Sequence, residues 1–173
     1  MRKASSIRFY LFLAAALMWM AVIFFKSAES YQQQSLRPLL SSWLSRNDIA
    51  KNLPHWEFTY DHDLVSWQDP IGLIEFFIRK AGHVSEFAIL ALLWSLALLS
   101  KRVNVIMALL TSSLISVLYA VTDEWHQTFV PGRTGHAIDI AVDAVGVALA
   151  VLFILICLGL RRWIRRRRVN SLT

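Results

Sequence analysis

Cysteine is almost missing from this chain. Cys157 is the only one in 173 residues, so a disulfide-stapled secreted module is excluded. That lone thiol sits inside an apolar run and reads as a small packing residue. Charge is scarce as well. Charged residues make up 17% of the chain, against about 25% in soluble domains. No Gly-Xaa-Ser-Xaa-Gly nucleophile elbow, no phosphate-binding Walker loop and no nucleic-acid motif occurs. What is abundant is apolar: hydrophobic residues reach 56%. A disordered regulator would have far less apolar surface to bury. The apolar residues fall in long blocks, and the chain reads as an integral membrane protein.

A helix needs about 20 mostly apolar residues to cross a bilayer. Residues 9–25, 103–122 and 144–160 are uncharged runs. The last extends back through Ile140 if Asp143 is tolerated. Residues 87–100 are too short alone and must recruit the turns carrying Lys80, His83 and Glu86. Asp69-Pro70 supplies a helix start, with Asp as N-cap and Pro at the first helical position. The expectation is an all-α bundle of four spans, at about 7–26, 70–100, 103–122 and 137–160, forming a single membrane domain. A loop at 27–69 separates the first two spans, and a basic tail occupies 161–173.

The formal charge is +6, from 18 basic and 12 acidic residues, and its distribution sets the expected orientation. With both termini cytoplasmic, the inner segments hold Arg2, Lys3, Arg8, Lys101, Arg102 and the six C-terminal arginines, and no acid. The outer segments then hold 7 basic and all 12 acidic residues. This is the distribution that membrane insertion favours. The cluster Arg161, Arg162, Arg165, Arg166, Arg167 and Arg168 reads as an anchor to anionic lipid of the inner leaflet, not to nucleic acid. A cleavable signal peptide ending near Ala28-Glu29-Ser30 is the rival reading of the first span. Its apolar run is longer than such peptides use, which favours an uncleaved helix. In the outer loop, Leu36, Leu39, Leu40, Trp43 and Leu44 recur at helical spacing, with Arg37 and Arg46 on other faces. They suggest a short amphipathic helix on the outer leaflet or packed on the spans. Trp56 and Trp67 suit an outer aromatic belt, and Trp163 an inner one.

Three segments carry ionisable groups to one depth. KAGHVSEF (80–87) sets Lys80, His83 and Glu86 along one drifting helical face. DEWHQTFVPGR (123–133) puts Asp123 and Gln127 on a shared face with Glu124 beside them, continued inward by Ser113, Ser116 and Ala120. Pro131-Gly132 turns the chain and Arg133 lies in the turn. Asp139 and Asp143 share a face of the fourth span, which Gly146 and Ala150 extend as small residues. A carboxylate costs roughly 2.5–3.5 kcal/mol at the centre of a span, and is by default a functional-site hypothesis. The alternative is a self-satisfied lock, for example Arg133 bridging Asp139 and Glu86.

The candidate ligand-binding set is Lys80, His83, Glu86, Asp123, Glu124, Gln127, Arg133, Asp139 and Asp143. Counting Arg79 with these, three basic and five acidic groups leave −2. That suits a cation, an amine-bearing ligand, a phosphate carried with a divalent metal, or partly protonated carboxylates. The same groups are plausible oxygen and nitrogen ligands for a divalent ion, although no strict zinc spacing is present. His83, Glu86, Asp123 and Glu124 are the candidate acid–base groups, with His126 weaker, and His62 and His136 weaker still. Gly135-His136 after Arg133 only faintly echoes the motifs of lipid-phosphate phosphatases, whose other elements are missing.

The three motifs together, KAGHVSEF, DEWHQTFVPGRTG and DIAVDAVG (139–146), resemble the VanZ-like family over about 70–160. Lys80, His83, Glu86, Asp123, Glu124, Gln127, Arg133, Asp139, Asp143 and Gly146 stand where that family has them. The resemblance implies a multi-pass protein of the cell membrane, in a family spread among Gram-positive bacteria. That family is named for a protein that raises resistance to the lipoglycopeptide teicoplanin, and it is often found outside resistance clusters. It supplies no biochemical activity.

Three function classes are weighed. One is a binding or shielding protein for a lipid-linked cell-envelope component or a lipoglycopeptide. The second is a membrane-embedded enzyme that modifies an envelope lipid or glycan. The third is a structural or ion-conducting bundle.

Overall fold

The computed structural model describes residues 2–43 and 52–170. Leu44 and Arg46, part of the expected amphipathic segment, lie outside the described residues. In chain order the elements are α1 (Arg2–Ser27), α2 (Arg37–Trp43), β1 (Glu57–Tyr60), β2 (Asp63–Ser66), α3 (Pro70–Ser100), α4 (Val105–Gln127) and α5 (Ala137–Asn170). Four of the helices, α1, α3, α4 and α5, are long and apolar enough to cross a membrane.

Local chemistry explains where they start. The Asp69 side chain accepts from the Gly72 amide at 3.2 Å, with Pro70 at the first position of α3. The Asn104 side chain caps α4 by accepting from the Ile106 amide at 2.9 Å. Both caps satisfy amides that have no partner inside their helix. The α4–α5 turn carries Gly132 at φ 74°, a backbone state that glycine adopts without strain.

Two helices run beyond the apolar spans read from the sequence. α4 continues past the uncharged run to Gln127, which keeps Asp123 and Gln127 on one helical face, and α5 runs on through the arginine tail to Asn170. Asp123 and the arginines mark where an apolar run ends, not where helical hydrogen bonding ends.

Four antiparallel crossings put both chain termini at one end of the bundle. There the Ser5 hydroxyl donates to the Ser100 carbonyl, and the Lys101 ammonium lies 4.8 Å from the Phe9 ring centroid. The loop 27–69 and the α4–α5 turn share the opposite end. The core joins Ile23 of α1, Phe87, Leu90 and Ala91 of α3, Ala120 of α4, and Val147 and Ala150 of α5. Ser95 and Ser112, both fully buried, bond to each other at 2.7 Å across α3 and α4. Leu110, Leu114, Leu118, Leu149 and Phe153 face outward, as lipid-facing positions should.

The inward stripe of α4 is Ser112, Ser116 and Ala120, all fully buried, with Asp123, Glu124 and Gln127. Ser112 therefore replaces the expected Ser113. Positions 112, 116 and 120 keep the four-residue step that holds one face, and 113 is rotated off it.

The loop adds a small antiparallel hairpin that hydropathy did not announce. Phe58 pairs with Val65 and Tyr60 with Asp63, and the two-residue turn is Asp61-His62, both at positive φ. Such a turn matches the strand twist, and Asp is among the side chains that tolerate it. Phe58 and Tyr60 pack edge-on against Phe76 of α3, at 5.5 and 5.0 Å between ring centroids. Helix α2 buries no residue: Leu39 is 55% and Trp43 81% exposed, while Leu40 is half-buried.

Candidate functional site

A cavity of about 820 Å³ opens at the loop end of the bundle. It lies between α1, α2, the hairpin, the outer turns of α3 and the α4–α5 turn. Of the nine candidate residues, Lys80, His83, Gln127, Arg133 and Asp139 line it. Glu86, Asp123, Glu124 and Asp143 do not. The charged lining is five basic residues (Lys26, Arg37, Arg79, Lys80, Arg133) against four acidic ones (Asp63, Asp69, Glu75, Asp139), a net of +1. The −2 of the sequence count therefore does not describe the cavity wall. That count merged the wall with four carboxylates that sit elsewhere, and it left out Lys26 and Arg37 as well as Asp63, Asp69 and Glu75.

Most of the wall is internally paired. Lys80 pairs with Asp139 across α3 and α5, and its ammonium stands 4.2 Å from the Tyr60 ring centroid. The Tyr60 hydroxyl donates to the same Asp139 oxygen. Glu75, 2% exposed, is bound by Arg79 at 3.0 Å, by Arg37 at 3.3 Å and by the Leu36 amide at 2.8 Å. Arg37 also pairs with Asp69, which raises the arginine's proton affinity above its ordinary value. Glu86 pairs with Lys26 of α1, while Trp19 donates to the Glu86 carbonyl at 2.9 Å. Asp61 and His136 tie the hairpin turn to the start of α5.

Arg133 differs from the other wall cations. The bridge to Asp139 and Glu86 that served as the example of a self-satisfied lock does not form, because those carboxylates are taken by Lys80 and Lys26. The Arg133 Nη1 instead donates to the backbone carbonyls of Ser27 at 3.3 Å and Glu29 at 3.5 Å. Among the described residues no carboxylate lies within ion-pair distance of it. Burial and the nearby Arg79 charge lower its proton affinity, yet a guanidinium stays charged at neutral pH. Arg79, which is paired with Glu75, lines the same cavity wall as Arg133.

Beneath the wall a second set meets at the junction of α3, α4 and α5. His83 Nδ1 lies 3.2 Å from Asp143 Oδ1. Glu124 accepts from the His136 amide at 2.9 Å, and Gln127 donates to Asp123 at 3.0 Å. His83, Glu124 and Asp143 each offer one ligand atom within 4.8 Å of the other two. His83 is the one member that also reaches the cavity.

The sequence reading missed Glu75, Lys26 and Tyr60. Glu75 had a readable signal, since Glu75 and Arg79 stand four apart and pair along one helix. Lys26 and Tyr60 had none, because they arrive from other elements.

Tyr60 yields a pH prediction. Burial first, and the Asp139 carboxylate second, push its phenol well above the ordinary value. The folded chain thus keeps a proton that the unfolded chain releases near pH 10, by the reference value of about 10. The folded state's advantage is intact below that pH and declines as pH rises above it. Thermal unfolding in detergent between about pH 8 and pH 11 should show this decline, and Tyr60→Phe should lack that part of it.

No curated protein and no solved structure matches this chain. A family model described as VanZ/LLP1 matches residues 12–158, from the first turns of α1 almost to the arginine tail. The matched region contains the cavity wall, the α3–α4–α5 junction and the apolar part of all four long helices, and the chain is a membrane protein of the VanZ family.

Proposed function

We propose that this protein binds the phosphate-bearing head group of a lipid-linked cell-envelope component, in a cavity that opens on the outer face of the cell membrane. One observation carries the reading: Arg133 is a half-buried guanidinium on the wall of a net positive cavity, with no carboxylate partner among the described residues. A phosphoryl group accepts parallel hydrogen bonds from such a fork, and Arg79 lines the same cavity. The charge asymmetry of the sequence supports the orientation. The loop end carries the acidic residues, and the opposite end carries the arginine tail that suits an anionic inner leaflet. A lipid enters such a site from the bilayer, its head group in the polar wall and its chain along the helices. Shielding of an envelope lipid, or of a lipoglycopeptide that approaches the same surface, links this reading to teicoplanin-type resistance or envelope homeostasis.

The test is binding of a polyprenyl pyrophosphate to the detergent-purified protein, followed by native mass spectrometry, with a zwitterionic phospholipid as the comparison. Wild type should prefer the pyrophosphate. Arg133→Ala should lose roughly 10- to 100-fold in affinity, the worth of about 1.5–3 kcal/mol for hydrogen bonds to a charged group. In a Gram-positive host, wild type should raise the teicoplanin threshold, and an equally abundant Arg133→Ala should not. Equal retention of both lipids would overturn the proposal.

A second reading, an enzyme acting on the same lipid, is favoured by the His83–Asp143 contact, which orients an imidazole that faces the cavity. It predicts a new lipid species in membranes that carry the protein.

A further inference from the structure

We propose that His83, Glu124 and Asp143 form a binding site for one divalent transition-metal ion, Zn²⁺ or Mn²⁺, at the junction of α3, α4 and α5. The three residues come from three helices and place one imidazole nitrogen and two carboxylate oxygens within 4.8 Å of one another. Ions of this class bind such atoms at about 2.0–2.2 Å, which puts neighbouring ligand atoms about 3.0–3.5 Å apart. The His83–Asp143 pair already meets that spacing at 3.2 Å. A shift of the Glu124 carboxyl by about an ångström would supply the rest. One Glu124 oxygen is held by the His136 amide, so the carboxylate is oriented, and its other oxygen meets only a long 3.5 Å contact from Gln127.

Two independent observations ask for a cation there. Asp143 is fully buried, and its Oδ2 meets no hydrogen-bond donor among the described residues. Neither Asp143 nor Glu124 has a lysine or arginine within ion-pair distance among the described residues. Among the described residues, the one basic group within ion-pair distance of either is the His83 imidazole, which meets Asp143 alone, and a buried carboxylate left without a partner costs several kcal/mol. One divalent ion balances both charges and gives the orphaned oxygen a partner. Access runs through His83, the only one of the three that lines the cavity. Three protein ligands leave coordination positions open to water.

The measurement is metal uptake by detergent-purified protein stripped with a chelator and dialysed against Zn²⁺ or Mn²⁺. Bound metal is counted by mass spectrometry, with Mn²⁺ followed also by electron paramagnetic resonance. Wild type should bind one ion per chain saturably and unfold at a higher temperature with it. Asp143→Asn and His83→Ala should weaken uptake by about tenfold or more, since even indirect ligand contacts are worth that much. His62→Asn, in the hairpin turn, should bind as wild type does. The wild-type titration decides the matter even if a variant fails to fold. Absence of saturable uptake of either ion, or uptake unaffected by both His83→Ala and Asp143→Asn, would overturn the assignment. No lipid enters the assay, so its outcome is separate from that of head-group binding through Arg133.

Discussion

Gly146→Leu should prevent the bundle from assembling, and Gly146→Ala should already lower its melting temperature by several degrees. A Cβ at this position would run into the Val84 carbonyl oxygen, with the Val84 carbonyl carbon at 2.9 Å and the Ala88 nitrogen at 3.1 Å. Those atoms are helix backbone, so no side chain can rotate aside. Either α3 and α5 separate or the helix distorts. Overpacking typically costs about 1–3 kcal/mol where side chains can yield, and more is expected here. Separation would also remove the approach that brings His83 to Asp143 and Lys80 to Asp139, so the polar site would be lost with the packing. Gly159 is the control. It lies on the same helix, and nothing stands within 4 Å of its added Cβ. Gly159→Ala should be neutral or stabilise by up to about 1 kcal/mol through the helix preference of alanine. Size-exclusion chromatography of heated, detergent-solubilised protein separates the two cases. Equal melting curves for Gly146→Leu and wild type would contradict the close crossing.

The second large effect is expected from Glu75→Ala. Glu75 gathers Arg79 from its own helix, Arg37 from α2 and the Leu36 amide, and it is almost wholly buried. Removing one member of a buried ionic set costs about 3–5 kcal/mol, because the remaining charge stays desolvated. Arg37 is half exposed and can be rehydrated, so the lower end, about 3 kcal/mol, is expected. The loss should be local. Helix α2 buries no residue, and Glu75 joins Asp69 in holding its start to α3. Limited proteolysis should therefore cut within 27–69 faster in Glu75→Ala while the four long helices stay intact. Glu75→Gln keeps an acceptor for the Leu36 amide and should fall between. An unchanged cleavage rate in Glu75→Ala would show that α2 is held by something other than this carboxylate.

These two positions illustrate what could be read from the chain and what could not. Gly146 was legible as a small residue, because three- and four-residue steps put Asp139, Asp143, Gly146 and Ala150 on one helical face. Small residues on such a face permit close helix approach. That the approach is to the Val84 backbone of α3 was not legible, since it depends on the rotation of both helices. Glu75 was half legible. Its pairing with Arg79 follows from a four-residue step, but its pairing with Arg37 joins two separate elements of the fold.

The sequence by itself determined the four spans, because burial in lipid demands long apolar helices whose length is a local property. It also determined that Lys80, His83, Asp123, Glu124, Asp139 and Asp143 gather at one end, since helical periodicity and antiparallel crossing leave no other arrangement. Only the tertiary structure decided who meets whom. Lys26 of α1 takes Glu86, and Tyr60 of a hairpin invisible to hydropathy takes Asp139. Arg133 is thereby left to backbone carbonyls, and His83 stands between a cationic wall and buried carboxylates. Those choices depend on the rotation and depth of each helix against its neighbours. Packing around Gly146, Ser112, Ser116 and Ala120 sets both, and no single segment of the sequence contains that information.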